Sequence, residues 1–381
     1  MNNAEIDAYL ARCVAEIVHA QPVAAWPQDL SADAAKAAAR IAFHGIALLI
    51  AQAPGALASW PDKLALAVRE QAGIQKFWEN GHRPAIAALL DALAAAGISA
   101  LVTKGTALAY SVYPDPAQRR RGDTDIFVPG ADRRKVRQVL RSLGFWETGD
   151  IKALQESWQC ATPLGFEPAV DIHWRINASA AVSKVLERGL RFGETIGLEQ
   201  LTPGARAIGP VDNLILTAIN RSAHGQFGYH SGKQRLFESN RLIWAVDTHL
   251  LTALFGDADW DALAERCART GTAAIVQDTL AFAQRTLGTP IPGPVNEALA
   301  RAPADRGLSA YYGASSHLWR LRQDMAGCRS LGEAARVLRY VAVPSADFLE
   351  TRFPDASGWP RAILHLRRWL EGAGKLLTGR V

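Results

Sequence analysis

The sequence predicts an α+β fold that is mostly helical, with a small sheet between two helical regions. Two observations indicate this class. Residues 1–95 are rich in alanine and repeat apolar positions with helical spacing, and this spacing returns after about residue 205. Between them, from Gly97 onward, short apolar or alternating runs replace the helical pattern. We therefore expect a helical region at 1–95, an α/β core at 96–205 and a helical domain at 206–381.

The individual elements follow from local patterns. Strands are predicted where apolar residues run or alternate over a few positions, at 98–102, 123–128 and 170–176. Helices are predicted where apolar residues recur with helical spacing, at 84–95, 131–143, 212–218, 241–254, 260–269, 272–287 and 361–377. Pro84 stands in the first turn of its helix, where proline is tolerated. Glycine and proline at 288–294 predict a loop between helices.

The composition is that of a large soluble protein. A chain of 381 residues with 49% hydrophobic content can bury a sizeable core, and its length predicts two or three domains. The most apolar stretch, 41–58, is interrupted by polar residues and a proline, and the start of the chain is acidic. We expect a cytoplasmic protein with no membrane span and no secretory leader. The four cysteines have no paired spacing and predict reduced thiols, mostly in the core: Cys13, Cys160, Cys267 and Cys328.

Two aspartates at the start of the second predicted strand are the strongest chemical feature of the sequence. Asp123 and Asp125 follow Gly122 and stand two positions apart, so on a strand their side chains leave the same face. Asp171, within the third predicted strand, supplies another carboxylate. Two Mg²⁺ ions that hold a triphosphate need several carboxylates converging from a rigid sheet. The three aspartates therefore predict a metal site, and Asp171 is also a candidate base.

Cationic residues stand on both sides of the loop that leads to this acidic pair. Lys104-Gly105-Thr106 comes where the first strand gives way to a helix, and backbone N–H groups at such a turn bind phosphate. Arg119 precedes the acidic pair, and we predict that it contacts phosphate together with Lys104. Its neighbours Arg120 and Arg121 are predicted to be surface charge. The net charge of +5 otherwise fits solvated helix faces.

Four other features have both a structural and a functional interpretation. A second Asp-x-Asp, Asp257-Ala258-Asp259, stands at a predicted helix start, where acidic residues cap the helix, and we predict a structural role. His173 shares the face of Asp171 and either orients a ligand or is a structural histidine. His224, at the end of a predicted helix, and Asp247, inside an apolar helix, are candidates to line a pocket. Their alternative roles are helix capping and packing.

These motifs resemble those of the DNA polymerase β-like nucleotidyltransferase superfamily, and within it a bacterial branch of largely uncharacterised nucleotidyltransferases. The resemblance is carried by four segments: Thr103-Lys104-Gly105-Thr106-Ala107-Leu108-Ala109, Tyr113-Pro114-Asp115-Pro116, Arg119 with Arg121-Gly122-Asp123-Thr124-Asp125-Ile126-Phe127-Val128, and Val170-Asp171-Ile172-His173-Trp174-Arg175. It extends more weakly to 242–251 and 344–352. The chain has Gly105-Thr106 where the superfamily usually has Gly-Ser.

The resemblance implies a small mixed-sheet nucleotidyltransferase core flanked by helices. It implies dependence on Mg²⁺ and transfer of a nucleoside monophosphate from an NTP. At the matching positions it implies that the catalytic metal ligands are Asp123, Asp125 and Asp171. It also implies that the nucleotide contacts a second set of residues: Lys104, Gly105, Thr106, Arg119, Gly122 and His173. His224 and Asp247 match weaker positions and would line the nucleotide or acceptor pocket.

We therefore predict an enzyme that moves a nucleoside monophosphate from an NTP, expected to be ATP, to a hydroxyl or phosphate and releases pyrophosphate. Two Mg²⁺ ions are the expected cofactor. A peptide, protein or small-molecule acceptor is favoured over RNA, because basic and aromatic residues do not interleave as a stacking groove requires. RNA is the alternative, since the Lys-Gly-Thr segment also looks like toxin-type nucleotidyltransferases that modify tRNA ends. A non-catalytic nucleotide-binding protein is a further alternative, against which three intact carboxylates argue.

Overall fold

The structure is a computed structural model that describes residues 3–27, 34–148, 154–231, 234–237, 239–301, 307–314, 316–343, 349, 352–356 and 358–378. Over these residues the protein has an α+β fold that is 63% helical, with sixteen helices and a seven-stranded mixed sheet. The predicted fold class is confirmed. Of the weakly matching segment 344–352, all but residues 349 and 352 lie outside the described residues.

The N-terminal part of the chain is predominantly helical where it is described, as predicted. Its helices are α1 (Asn3–Val18), α2 (Ala34–His44), α3 (Ala47–Gln52) and α4 (Asp62–Ala95). The prediction that a helix begins near Pro84 is wrong, because α4 starts well before Pro84 and runs through it. A proline removes one backbone donor from a helix interior. However, α4 buries apolar side chains before the proline, at Leu64 and Val68, and after it, at Ile86 and Leu89, so packing outweighs this local cost.

The remaining helices include every one that the sequence predicted, with shifted ends. They are α5 (Lys104–Ser111), α6 (Arg133–Ser142), α7 (Ala180–Gly189), α8 (Pro210–Phe227), α9 (Leu242–Thr252), α10 (Asp257–Thr270), α11 (Ala273–Leu287), α12 (Gly293–Ala300), α13 (Gly307–Gly313), α14 (His317–Gly327), α15 (Leu331–Ala342) and α16 (Arg361–Thr378). Short 3₁₀ helices lie at Pro116–Gln118 and Pro354–Ala356. Helix α8 is longer than the predicted 212–218. The second half of the helix is polar and lacks an apolar period, so the sequence pattern does not indicate it.

The seven strands of the main sheet are β1 (Leu101–Thr103), β2 (Asp123–Phe127), β3 (Trp146–Thr148), β4 (Gln155–Gln159), β5 (Ala169–His173), β6 (Thr195–Gly197) and β7 (Arg206–Ile208). Their order is β3-β4-β5-β2-β1-β7-β6, with β2 parallel to β5, β1 parallel to β7 and the other neighbours antiparallel. The three predicted strands are the central ones. The outer strands were missed because they are short or mostly polar. A separate antiparallel pair consists of β8 (Tyr229–Ser231) and β9 (Gln234–Leu236).

Two large hydrophobic clusters fix the sheet among the helices. One joins the N-terminal helices to helices that follow the sheet and includes Leu10 of α1 and Ile243 of α9. The other contains Ile126 and Ile172 of the sheet together with α6 and the second half of α4. Helix α4 contributes to both clusters and so connects them. The three-part division at residues 95 and 205 stays a prediction.

Two predictions from composition can be compared with the structure. Within the described ranges, no helix is both long and apolar enough to cross a membrane. The four cysteines are not paired with one another in the structure. Three of them are buried and Cys328 is partly exposed.

Candidate active site

Two parallel strands bring the acidic motif together. Strands β2 and β5 pair in register, with Asp125 opposite Asp171 and Phe127 opposite His173. Because side chains alternate along a strand, Asp125, Asp171 and His173 share one face of the sheet. One carboxylate oxygen of each aspartate and one ring nitrogen of the histidine lie within 4.8 Å of one another. Oxygen and imidazole donors at this spacing can hold a metal ion.

Asp125 is the centre of this group. Asp125 is 5% exposed, and its Oδ1 accepts hydrogen bonds from Lys104 Nζ at 2.5 Å and from His173 Nε2 at 2.7 Å. Burial alone would raise the pKa of Asp125. The charge of Lys104 and the hydrogen bond from His173 outweigh burial and hold this pKa well below its usual range. The carboxylate is therefore ionised and paired in the folded protein.

Lys104 contacts Asp125 from an unusual backbone conformation. It is the first residue of α5, and its φ of 54° lies in the left-handed region that residues other than glycine seldom adopt. Such a conformation costs about 1–3 kcal/mol and is most often kept at functional sites. Burial would lower the pKa of Lys104, but the charges of Asp125, Asp123 and Asp171 together raise it. The lysine is therefore a fixed cation on the acidic face of the sheet.

Strand β4 orients Asp171. Its Oδ1 accepts a hydrogen bond from Ser157 Oγ at 2.5 Å, and its Oδ2 accepts one from Gln155 Nε2 at 2.6 Å. Ser157 lies directly opposite Asp171 in the antiparallel pair of β4 and β5. Sequence reasoning missed both residues. The signal at 155–159 is weak, because Trp158 stands alone among polar residues.

Asp123 lies at the exposed start of β2. It shares the face of Asp125, two residues later, but it is not part of the group of Asp125, Asp171 and His173 whose donor atoms converge. Gly122, directly before it, is also exposed. Of the three predicted metal ligands, the structure therefore brings two together, adds His173 as the third donor, and leaves Asp123 at the rim.

The predicted turn from strand to helix is present at Lys104-Gly105-Thr106, where α5 follows β1 directly. A Cβ added to Gly105 would lie 3.6 Å from Arg119 Nη1, so the turn packs against the arginine segment. The buried hydroxyl of Thr106 shares a hydrogen bond of 3.0 Å with Thr124 Oγ1. The turn is thereby joined to β2 between its two aspartates.

A buried histidine contacts β2 on the face opposite the acidic group. His82 of α4 is 0% exposed, its Nε2 lies 2.6 Å from Thr124 Oγ1, and its ring stacks on Trp78. Burial, and then the charge of Arg121, lowers the pKa of His82 well below its usual range. Sequence reasoning missed this residue because it belongs to a helix that lies far from the motif in the chain.

The prediction that Arg121 is surface charge is wrong. Its side chain is 3% exposed, and its Nη2 donates to Glu79 Oε2 at 2.6 Å. Its guanidinium also lies over the rings of Trp78 and Tyr110. Glu79, buried on α4, supplies a counter-charge that the local sequence does not reveal. Arg120 is exposed, as predicted, and donates to a backbone carbonyl.

Arg119 and Asp247 form a buried ion pair although they lie 128 residues apart. Arg119 Nε and the Tyr113 hydroxyl each donate to Asp247 Oδ1 at 2.7 Å. Asp247 is 0% exposed, and its Oδ2 has no hydrogen-bond partner among the residues that the structure describes. Burial, and then the charge of Asp247, raises the pKa of Tyr113 well above its usual value. Arg119, the predicted phosphate contact, therefore pairs with Asp247, a predicted pocket residue. Their ion pair links α9 to the segment before β2.

His224 lies near the C-terminal end of α8, as predicted. Its ring packs edge-on against Trp244, with 5.2 Å between ring centroids. Burial lowers the pKa of His224 to about 4, and the positive charges of Lys104 and Arg241 contribute to this shift. The charge of Asp125 acts in the opposite direction and does not offset these effects.

The second Asp-x-Asp has the structural role that the sequence predicts. Helix α10 begins at Asp257, and Asp259 Oδ2 accepts a hydrogen bond from the backbone N–H of Gly256 at 3.0 Å. This contact satisfies one donor at the start of the helix.

A family model described as uncharacterised nucleotidyltransferase matches residues 31–288, a span that contains the whole acidic group and more than half of the chain. The chain belongs to this family. The resemblance inferred from the motifs is thereby confirmed at the level of the family. No curated protein and no solved structure matched the chain.

In this nucleotidyltransferase family member the acidic group fits a divalent cation. Asp125 Oδ1 takes both hydrogen bonds, whereas Asp125 Oδ2 accepts none from any described residue. That oxygen stays available to a cation beside Asp171, whose orientation β4 fixes. His173 Nδ1 is buried and has no hydrogen-bond partner in the described part of the chain. Two carboxylates and an imidazole suit Mg²⁺ or Mn²⁺ better than a soft metal.

Proposed function

We propose that this chain transfers a nucleoside monophosphate from an NTP to a hydroxyl or phosphate of a peptide, protein or small-molecule acceptor and releases pyrophosphate. ATP is the expected nucleotide, and two Mg²⁺ ions are the expected cofactor. One observation carries the proposal together with the family: Asp125 and Asp171 stand in register on parallel strands, with His173 completing a set of donors within 4.8 Å. A rigid sheet keeps such donors in place without further ordering.

The transfer step makes one bond and breaks one. An acceptor oxygen attacks the α-phosphorus, and the bond between that phosphorus and the bridging oxygen breaks, so that pyrophosphate leaves with the electron pair. The proton of an acceptor hydroxyl passes to a carboxylate, for which Asp171 is the candidate. A bound divalent cation would neutralise phosphate charge and lower the pKa of the attacking hydroxyl.

Each residue of the acidic face has a role in this proposal. Asp125, Asp171 and His173 would hold one ion. Asp123, at the exposed rim of the same face, is the candidate to hold a second ion with Asp125. Lys104 is a fixed cation beside these carboxylates and is the candidate to contact a phosphate oxygen when the nucleotide arrives.

The loops around this face would complete the nucleotide site. Backbone N–H groups at Gly105 and Thr106 lie in the first turn of α5, where anions are favoured. Gly122 leaves space before β2, since a Cβ there would meet no atom within 4 Å. Arg119, held by Asp247, positions this segment and keeps a cation near the turn.

A peptide, protein or small-molecule acceptor is favoured over RNA. Arg119 and Arg121, two of the three consecutive arginines before the acidic pair, are buried in ion pairs with Asp247 and Glu79. Buried guanidinium groups are not available to neutralise the phosphates of a nucleic-acid backbone. RNA binding through these residues would therefore be weak at physiological salt.

An acceptor screen tests the proposal. The protein is incubated with Mg²⁺ and NTP labelled at the α-phosphate, in the presence of separated protein, small-molecule and RNA fractions. We expect label in the protein or small-molecule fraction. Label that enters RNA, with binding that survives physiological salt, would favour the tRNA-modifying alternative. NTP binding without label in any fraction would favour the non-catalytic nucleotide-binding alternative.

A further inference from the structure

A cavity of about 200 Å³ lies at the carboxyl ends of the parallel strands β2 and β5. Its lining combines three arginines with one carboxylate and one aromatic ring: Arg133, Arg175, Arg329, Glu333 and Trp174. The backbone between β2 and α6 forms another part of its wall. Neither the family match nor the nucleotide motifs assign a role to this cavity.

The arginines around this cavity outnumber the carboxylates that pair with them. Arg175 donates to Glu187 and Glu333, and Arg329 pairs with Glu187. Both carboxylates are therefore already engaged. Arg133 has no carboxylate partner among the described residues, and its guanidinium lies 4.8 Å above the ring of Trp174.

A second arginine without a carboxylate partner among the described residues lies on α15, the helix that carries Glu333. Arg336 is one turn along α15 from Glu333, and its buried Nε has no hydrogen-bond partner among the described residues. Burial lowers the pKa of Arg133, and the charge of Arg336 lowers it further. Arg336 is not among the residues that line the cavity, but it lies on the same face of α15 as Glu333, which does line it. Like charges at short range are unfavourable unless an anion joins them.

The cavity lies on the opposite side of the sheet from the acidic group of Asp125, Asp171 and His173. Ser157 donates to Asp171, so the neighbouring Glu156 leaves the other face of β4. Glu156 accepts hydrogen bonds from Trp174 and Arg137, which places Trp174 and α6 on that other face. A ligand in this cavity would therefore not occupy the NTP site.

We propose that this cavity binds the phosphate group of a small phosphorylated ligand. A phosphate carries a charge of about −1.5 to −2 near neutral pH, which matches two unpaired arginines. The planar guanidinium donates to phosphate oxygens in pairs. A volume of about 200 Å³ admits a phosphate group with part of its carrier but no folded partner. The proposal does not rest on nucleotidyl transfer.

Calorimetric titration of the full chain with inorganic phosphate tests this site, at an ionic strength kept constant with chloride. Arg133→Gln and Arg336→Gln should each weaken phosphate binding about tenfold, the effect of losing a charge-assisted hydrogen bond. Arg134→Gln is the matched control, because it removes the same charge from an exposed neighbour on α6. It should change the affinity by less than about twofold.

Two further variants keep the test decisive. Arg133→Lys retains the charge without the guanidinium geometry and should bind phosphate with intermediate affinity. Asp125→Asn alters the acidic group on the other side of the sheet and should leave phosphate binding in the cavity unchanged. Neither Arg133 nor Arg336 pairs with a carboxylate among the described residues, so replacing either breaks no ion pair. Replacing Arg133 removes its contact with the Trp174 ring, and the fold without phosphate should be retained in both variants.

The source of the phosphate is distinguished by a second titration with glycerol 2-phosphate. Tighter binding of this ester than of inorganic phosphate supports an organic phosphomonoester, and equal binding supports free phosphate. Absence of phosphate binding, wild-type affinity in both Arg133→Gln and Arg336→Gln, or loss of binding in Asp125→Asn would each overturn the proposal. A site that binds single-stranded RNA but neither small phosphate would overturn it as well.

Discussion

At the residue scale, Lys104 donates to Asp125 of the acidic group and is the proposed contact to the phosphates of the nucleotide. We predict that Lys104→Met weakens binding of a non-hydrolysable NTP with Mg²⁺ by about 1.5–3 kcal/mol, because a charge-assisted contact to phosphate is lost. Calorimetry measures this directly. The control is Lys135→Met, which removes the same charge from an exposed position on α6. If both variants bind the NTP as tightly as the wild type, Lys104 does not contact phosphate.

His82 should give the folded protein a measurable sensitivity to acid. Its pKa is lowered in the folded state, so the unfolded chain takes up a proton near pH 6.5 while the folded protein does not. Stability is therefore full above that pH and falls as the pH decreases below it, by up to about 1.4 kcal/mol per pH unit for one group. We predict that His82→Gln loses about 1 kcal/mol less stability than wild type between pH 6.5 and 5.5. Urea unfolding at both pH values checks this, and an identical loss in both proteins would contradict it.

The central acidic residues could be predicted from sequence, whereas their supporting contacts could not. Asp125 and Asp171 stand at strand positions beside glycine and aliphatic residues, and strand alternation fixes the face that they share. Gln155 and Ser157 contact Asp171 only because β4 pairs with β5, which no local pattern in β4 indicates. Arg121 was misjudged for the same reason, since its partner Glu79 comes from a helix packed on the motif.

At the element scale, the Asp-x-Asp at the start of helix α10 has a structural role and no catalytic one. We predict that Asp259→Ala lowers the free energy of unfolding by about 0.5–1 kcal/mol, because the backbone N–H of Gly256 loses its acceptor. Nucleotidyl transfer should be unchanged. Asp261→Ala, at an exposed position of the same helix, is the control and should have a smaller effect on stability. A loss of transfer in Asp259→Ala would show that the second Asp-x-Asp is functional.

The sheet was predicted at its centre and not at its edges. Strand β1 is buried throughout, whereas β2 and β5 combine buried aliphatic residues with the polar residues of the acidic group. Strands β3, β6 and β7 are three residues each, and no apolar run like that at 98–102 before and within β1 extends them. Helix α4 was placed too late because Pro84 indicates a helix start locally, while burial of both halves keeps the helix continuous.

At the scale of the whole molecule, the pair of Arg119 and Asp247 ties the C-terminal helices to the acidic motif. We predict that Asp247→Asn destabilises the protein by about 3 kcal/mol, because it leaves the buried guanidinium of Arg119 without a counter-charge. Denaturant unfolding measures the change. Glu297→Gln breaks an exposed pair with Arg301 and should cost less than about 1 kcal/mol. Equal effects of the two substitutions would mean that burial of the Arg119 pair has no energetic consequence.

The central claim concerns the acidic group as a whole, and transfer of label from NTP tests it most directly. The α-phosphate-labelled NTP, Mg²⁺ and the acceptor fraction are incubated with the wild type, Asp125→Asn, Asp171→Asn and Asp257→Asn, and folding of each variant is checked by circular dichroism. We predict that Asp125→Asn and Asp171→Asn lose at least about a hundredfold in rate, because the carboxylate charge that holds the cation is gone. The control Asp257→Asn, at the start of α10, should transfer label at the wild-type rate. Full transfer by folded Asp125→Asn or Asp171→Asn would contradict the account.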